Sequence, residues 1–591
     1  MKILAIQALR GPNFWSFRVP KLIQVRLDLS EHFTFDTKVW ESFCKQHNLF
    51  LEWQSDFDLA AASNQKLQQI AFLTLALQKK VGAQVKYFDF KQTKSKDCFN
   101  LVFEYETEIT GKQAAKAAVV VFNQLSKNQE DVFDKEVELL LQSFNLEKPN
   151  TKLKQLISEA VKADIPYLLG DDENKFQFGY GKMAVLLSED ALPDSIQTIF
   201  PNGQNGRIPI FAITGSNGKT TTSRLIAHIL KVNGYKVGFT TSDGIYIDGK
   251  MINKGDTTGP MSAKIVLRNP LVNVAVLETA RGGIVRAGLG FDWCDISVVT
   301  NVQDDHLGIS DIETMEDLTQ VKGVIVKATN PFGHTILNAD NPYSVSLANN
   351  APCTVNWFSM QSDNPMIIND LVKDGFAAFV QDNFLVLKIN NQNIQVLPLK
   401  EIPITFGGKV GFMVQNALAA TLATAIFGIK PSEISKGLKT FLPSTEQTPG
   451  RMNIFDLEKC KIMVDFAHNP DGFAGIRDFL SGIESSNKVG IIVATGDRKE
   501  EDIIELGRLS AEMFNQIFIH QVKFLRGKKA EELVALLVKG IESHKPSVPW
   551  QRVPDNQEPL EYAYKLATPG SFITALSDVL NNPLELIKSL K

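Results

Sequence analysis

Between residues 207 and 443 the chain alternates short apolar runs with longer stretches of helical spacing. "IPIFAITG", "VNVAVLET", "CDISVVTNV" and "GHTILNAD" read as buried strands, since each is short, rich in β-branched residues and closed by a polar or glycine residue. "TTSRLIAHILKVNG" and "TMEDLTQVKGVIV" place apolar positions three and four apart, which predicts helices. Strands separated by helices predict a mostly parallel sheet covered by helices. Residues 444–591 repeat this on a smaller scale in "KIMVDFAH", "VGIIVATGD", "QIFIHQV" and "GSFITAL", predicting a Rossmann-like domain. Residues 1–165 differ. "LIQVRLDL" and "NLVFEYETEI" alternate as half-exposed strands, and "QKLQQIAFLTLALQKKVG" and "TGKQAAKAAVVVFNQLSK" are helical, which predicts an α+β domain. A linker over 166–206 ends in "FPNGQNGR", a Gly, Asn and Pro cluster that marks a boundary. The expected class is α/β, with domains over 1–165, 207–443 and 444–591.

Composition narrows the picture modestly. A chain of 591 residues accommodates three or four domains at about 150 residues each. A net charge of -4 gives no reason to expect nucleic-acid or membrane-surface binding. No apolar run reaches the ~18 residues of a membrane span, and "MKILAIQALRGPNFWSF" lacks signal-peptide architecture. Five scattered cysteines without metal spacing fit a reducing compartment, so a cytoplasmic location is expected. The basic stretch "KKVGAQVKYFDFKQTKSK" reads as solvated surface, with a site for an acidic partner as the alternative.

The chemistry concentrates at "FAITGSNGKTTTSRLIAHIL", residues 211–230. A strand, a Gly-rich turn and a helix in succession make a phosphate-binding loop. It departs from G-x-x-x-x-G-K-[ST], because Ile213 stands where the first glycine would be. Gly215 and Gly218 let backbone N–H groups approach phosphate oxygens, and the helix N-terminus adds positive potential. Lys219 would contact the terminal phosphates and Thr220 could ligate Mg²⁺. The alternative is a Gly-rich turn before an ordinary helix. Downstream, Glu278 closes the strand in "VAVLETARGG", and Asn301, Asp305 and His306 follow the strand in "VVTNVQDDHLG". Strand carboxyl ends line the ligand crevice of open α/β sheets, so Glu278 and His306 are placed to converge on a metal near the phosphates. Taken singly, His306 could be a hydrogen-bonded core residue. "DTTGPMSAK" sets Thr257 and Thr258 in a loop.

Taken together, "GSNGKTTT", "TTGP", "LETARGG", "TNVQDDHLG", "LNADNP", "PGRM" and "VDFAHNPDG" resemble the Mur ligases over residues 207–591. "TSDGIYIDGK", "GDTTGP" and "LETARGGIVRAGLG" resemble the Mur-like module of cyanophycin synthetases, and "LRGPNFWS" resembles their amino-terminal domain. The resemblance implies a short G-x-x-G-K-T loop, so Ile213 is no defect. It implies an ATP-dependent carboxylate–amine ligase working through an acyl phosphate. Gly215, Ser216, Asn217, Gly218, Lys219, Thr220 and Thr221 would hold ATP. Thr220, Glu278 and His306 would hold Mg²⁺. Asn338 would sit by the adenine, while Arg451, Asp465 and His468 reach the nucleotide from the third domain. Lys322 matches the family lysine that is often carbamylated; an ordinary surface lysine is the other reading. Thr257, Thr258 and Arg281 would meet the substrate. A capping Asp and a structural His remain alternatives for Asp465 and His468.

Three departures qualify the resemblance. "FQFGYG" at 176–181 is followed after 25 residues by Arg207, leaving no room for the ATP-grasp module that adds backbone aspartate in cyanophycin synthetases. The chain should not polymerise alone. Where some family members carry H-x-x-E-H, Gln68, Ala71 and Phe72 supply no zinc ligands. "HQVKFLRGKK" offers no carboxylate for a guanidinium substrate, which puts arginine as the incoming amino acid in doubt. The alternative function is a non-catalytic, chain-binding partner of a full-length cyanophycin synthetase. A phosphate-loop kinase would leave "DFAHNPDG" unexplained. A homo-oligomer is open.

Overall fold

The computed structural model describes residues 1–16, 19–30, 37–49, 65–127, 132–147, 150–169, 175–304, 307–309, 311–368, 375–496, 498–521, 525, 528–576 and 586–587. The chain divides into two units. One holds residues 1–208, 259–270 and 281–293; the other holds 209–258, 271–280 and 294–591.

The first unit opens with a four-stranded antiparallel sheet of β1 (Lys2–Arg10), β2 (Lys21–Asp28), β3 (Phe88–Gln92) and β4 (Cys98–Glu104), ordered β1-β2-β4-β3. Alternation in β2 sends Ile23, Val25 and Leu27 into a core shared with the helices Gln65–Lys80 and Glu108–Leu125. Ala71 and Phe72 are buried in that core, apolar members of a packed helix. The stretch read as a linker is itself folded. β5 (Tyr167–Leu169), β6 (Lys175–Phe178) and β7 (Val185–Ser188) form an antiparallel sheet. It shares a core of Leu156, Phe176, Phe178 and Phe200 with the helix Thr151–Lys162. Strands this short carry too few positions for alternation to show. The helices Pro260–Arg268 and Arg281–Ala287 also belong to this unit. Gln177 Nε2 donates to the Leu267 carbonyl at 3.1 Å. Arg207 lies over the Trp293 ring at 3.9 Å and pairs with Asp164 and Asp292.

The second unit is built on an eleven-stranded sheet. Its strands are β8 (Ile210–Thr214), β9 (Val237–Thr240), β10 (Gly244–Ile247), β11 (Lys250–Lys254), β12 (Val274–Glu278), β13 (Cys294–Val299), β14 (Thr329–Asn338), β15 (Thr354–Ser359), β16 (Phe376–Gln381), β17 (Phe384–Ile389) and β18 (Gln392–Pro398). The order is β11-β10-β9-β12-β8-β13-β14-β15-β16-β17-β18. Pairing is parallel from β9 through β16 and antiparallel at both flanks. The β16–β17 and β17–β18 hairpins turn through Asp382-Asn383 and Asn390-Asn391, all at positive φ, as tight two-residue hairpins require. β8, β12 and β13 are buried almost throughout, so their apolar runs are continuous rather than alternating.

A six-stranded sheet follows, of β19 (Asn453–Asp456), β20 (Cys460–Asp465), β21 (Lys488–Ile492), β22 (Gln516–Ile519), β23 (Trp550–Arg552) and β24 (Ser571–Leu576), ordered β19-β20-β24-β21-β22-β23. Only β19 is antiparallel. The two sheets share one core. Phe406 packs on Phe479 with ring centroids 5.2 Å apart. Phe412, on the helix Gly411–Ile426, lies where a Cβ on Gly475 would come within 2.6 Å. Among the described residues no helix is long and apolar enough to cross a membrane.

Candidate active site

β8 lies within the parallel run, between β12 and β13, so the carboxyl ends of all three open on one edge. The phosphate loop leaves β8 there. It is clamped to the segment after β13: Ser216 N donates to the Asn301 carbonyl at 2.9 Å, and Asn217 N donates to Asn301 Oδ1 at 2.9 Å. Thr300 Oγ1 donates to the Asn217 carbonyl at 2.6 Å, and Ser216 Oγ to the Gln303 carbonyl at 2.9 Å. The two glycines are demanded by close approach. A Cβ on Gly215 would stand 1.9 Å from Thr300 Oγ1, and one on Gly218, at φ +84°, 2.2 Å from Asn416 Oδ1.

Gly218 caps the helix Lys219–Val232. The loop-side N–H groups of Lys219, Thr220 and Thr221 precede the first helical bond, which runs from Thr222 N to the Gly218 carbonyl. These three donors and the helix dipole make an anion site. Lys219 Nζ donates to the Gly215 and Ser216 carbonyls at 3.0 and 2.9 Å, which holds its charge over the loop.

Glu278 closes β12 with 2% exposure. Its Oε1 accepts from Thr220 Oγ1 at 3.2 Å, while Oε2 has no hydrogen-bond partner among the described residues. Burial pushes its carboxyl up to about 7, against the pull of Lys219, Thr220 and Arg451. A buried carboxylate oxygen without a donor, next to the loop threonine, fits a divalent cation: the cation would supply the missing positive partner. His306 lies outside the described residues. Ser242, in the turn after β9, stands 3.1 Å from Thr220 Oγ1 and 3.5 Å from Arg451 Nη2.

Arg451 follows the connector into the smaller sheet and lies over the Phe466 ring at 4.5 Å. Burial lowers its pKa, while Asp465, Glu278 and Asp243 pull it back up. Asp465 ends β20. Its oxygens accept from Met452 N at 2.8 Å and Ala467 N at 2.7 Å. It thereby fixes the turn that carries Arg451, where Met452 stands at φ 49°. Burial raises the Asp465 carboxyl against the Arg451 charge. His468 Nδ1 is 2.7 Å from the Phe466 carbonyl, with its ring edge-on to Phe466. Asn469 Oδ1 caps the helix Pro470–Ser481, and its Nδ2 donates to Asn217 Oδ1 at 3.1 Å. Lys499 pairs with Asp304 at 2.8 Å.

The remaining candidates are placed differently. Asn338 ends β14 with its amide in use: Nδ2 donates to the Thr300 carbonyl at 2.8 Å, and Oδ1 accepts from Asp340 N at 2.9 Å. Lys322 is buried on the helix Met315–Lys327, which packs on β8 and β13. Thr257 Oγ1 donates to the Thr241 carbonyl at 2.7 Å, and Thr258 Oγ1 to Asp256 Oδ1 at 2.7 Å. Arg281 begins its helix in the other unit. Asn416, Ser242 and Asn469 escaped the sequence reading. Only Asn469, an Asx residue directly before Pro-Asp-Gly, carried a local signal, that of a helix cap.

Residues 213–424 match the Mur ligase middle domain, and residues 450–578 match the Mur ligase glutamate ligase domain. The chain is 42% identical over 396 residues to the cyanophycin synthetase of Synechocystis sp., and 40% identical over 393 residues to that of Geminocystis herdmanii. These alignments take in 67% and 66% of this chain and 45% of each relative, so it spans about half their length. It is 24% identical over 392 residues to the UDP-N-acetylmuramoyl-L-alanyl-D-glutamate–2,6-diaminopimelate ligase of Caldanaerobacter subterraneus, covering 65% of this chain and 76% of that protein. The solved structure of E. coli FolC in complex with DHPP and ADP aligns with a TM-score of 0.49 and 18% identity, over 64% of this chain and 89% of that one.

Proposed function

The chain belongs to the Mur ligase family, whose members are ATP-dependent amide-bond ligases, and from that premise we propose that it joins the amine of an amino acid to a carboxylate of a peptide or cyanophycin-like chain. The γ-phosphoryl group passes to a carboxylate oxygen and ADP leaves. The amine then attacks the acyl carbon, phosphate departs with the C–O electron pair, and the nitrogen gives up a proton. The observation that carries this reading is the Oε2 of Glu278, without a hydrogen-bond partner among the described residues, beside Thr220 at the mouth of the phosphate loop.

In this reading Lys219 and the N–H groups of Lys219, Thr220 and Thr221 bind the phosphates and offset the repulsion between phosphoryl group and carboxylate. Thr220, Glu278 and His306 would hold Mg²⁺, which neutralises phosphate charge when bound. Arg451, held by Asp465 and Phe466, brings a cation from the smaller sheet, and His468 packs on the same Phe466. Asn338 holds the strand end proposed to border the adenine. Lys322 is proposed to carry a carbamate, and Thr257, Thr258 and Arg281 to meet the acceptor. The proposed setting is the cytoplasm.

Phosphate release should require ATP, Mg²⁺ and one acceptor with one amino acid, and product mass should show their condensation. Lys219→Ala should reduce release at least about a hundredfold, the scale of losing a positioned electrostatic stabiliser. Unchanged release in that variant would overturn the site. Tight binding to a full-length synthetase, with no turnover for any pair, would favour the non-catalytic reading.

A further inference from the structure

Arg224 has no part in the chemistry set out above, yet among the described residues its two terminal nitrogens hold an acid, a phenol and a backbone carbonyl, while its buried Nε has no partner. It lies one helical turn beyond Thr220, on the same face of the helix Lys219–Val232. With 4% exposure it is buried. Its Nη2 pairs with Asp243 and donates to Tyr246 Oη at 2.6 Å, and its guanidinium lies 4.6 Å from the Tyr246 ring centre. Tyr246 Oη in turn donates to Asp243 Oδ2 at 2.5 Å, and Thr241 Oγ1 donates to Asp243 Oδ1 at 2.8 Å. Tyr246 is stacked on Phe239 with ring centres 4.6 Å apart. The guanidinium plane is therefore fixed by one carboxylate, one hydroxyl and an aromatic face.

The remaining arm points elsewhere. Arg224 Nη1 donates to the Gln447 carbonyl at 3.3 Å. Gln447 belongs to the connector between the two sheets, four residues before Arg451. Its side chain accepts from Leu442 N and donates to the Thr440 carbonyl at 3.3 Å, closing the connector into a compact turn. Thr220 and Arg224, four apart on one helix face, thus reach Ser242 and Asp243, which are adjacent in one turn. Ser242 touches Arg451, and Arg224 touches Gln447, four residues before it. Asp243, paired with Arg224, also favours the Arg451 charge, as Asp465 and Glu278 do, while Arg224 itself opposes it. A fixed planar fork suits these partners, since two nitrogens at set positions reach Asp243 and Tyr246 on one side and Gln447 on the other, whereas a lysine ammonium is a single mobile point.

We propose that Arg224 is a positioning residue for the reaction assigned to this site: with Asp243 and Tyr246 it seats the connector at Gln447, and so sets Arg451 against the phosphate loop. This rests on the ligase reading for its consequence in turnover, but not for the seating itself. Loss of Arg224 leaves the loop N–H groups and Lys219 in place, so the phosphates keep their main anchors while the contact that Arg451 would add is misplaced.

The test uses the full chain with Arg224→Lys, and Asp243→Asn as a second variant should the first fail to fold. Amide hydrogen exchange is followed without ligand. Exchange across 442–452 should quicken at least about tenfold in the variant while 219–232 keeps its protection. Affinity for a fluorescent ATP analogue should fall by no more than about fivefold, the part owed to Arg451, and kcat for phosphate release should fall at least about tenfold, so that turnover loses more than binding. Unchanged exchange across 442–452 overturns the proposal, as does a parallel loss of ATP affinity and kcat. If the wild-type chain turns over no substrate pair, the ligase reading fails, and the exchange comparison still decides the seating.

Discussion

Glu278 carries the sharpest electrostatic consequence of the fold. Its carboxyl is held at about 7 in the folded chain against an ordinary 4.5. The folded state therefore binds a proton that the unfolded state has already lost as pH rises through the interval between these values. Stability is fully present below 4.5 and drains away up to about 7, by a total of about 3 kcal/mol. In chelator, Glu278→Gln should melt at the wild-type temperature at pH 4.5 and clearly above it at pH 8. Mg²⁺ should stabilise the wild type at pH 8 and leave the variant unmoved. A variant that melts below wild type at pH 8 would show that the buried carboxylate is already paired. Glu278 was legible in the sequence because a lone acid closing an apolar strand has few other uses. Ser242, Asn416 and Arg224 were not, because their partners lie far away in the chain: Arg224 meets Gln447, and Asn416 meets Gly218.

At the scale of elements, the phosphate loop owes its shape to neighbours on both sides. Gly218 combines a left-handed φ of 84° with an approach to Asn416 Oδ1 that admits no Cβ. Gly218→Ala should cost at least about 1–3 kcal/mol by thermal melting and weaken nucleotide binding. Adding Asn416→Ala should restore the part due to the clash and leave the backbone part. Full recovery would mean that the left-handed conformation carries no strain. The parallel strands were legible, since β8, β12 and β13 are buried on both faces and read as unbroken apolar runs. β5, β6 and β7 were hidden inside a presumed linker, being only three or four residues long. What holds them is the aromatic core of Phe176, Phe178 and Phe200, a long-range fact that no local pattern carries.

For the whole molecule, the two sheets of the second unit meet at few polar points. Asn469 is the most economical, capping one helix and reaching Asn217 in the loop. Asn469→Asp keeps the cap, so its stability should stay within about 0.5 kcal/mol, whereas Asn469→Ala should lose about 1 kcal/mol. Both variants give up the amide donor to Asn217, and turnover should fall about tenfold in each, since misplacement at a reacting centre is costly. Turnover that tracks stability instead would reduce Asn469 to a cap. The sequence divided the second unit after residue 443, where the pattern of strands and helices restarts. Packing ignores that division, because Phe406 and Phe412 on one side rest against Phe479 and Gly475 on the other. A chain cut after Leu442 would bare those phenylalanines and the adjoining apolar surface. Such a fragment should precipitate or recruit chaperones rather than persist as a smaller enzyme, and a calorimeter should record the intact pair melting in one endotherm.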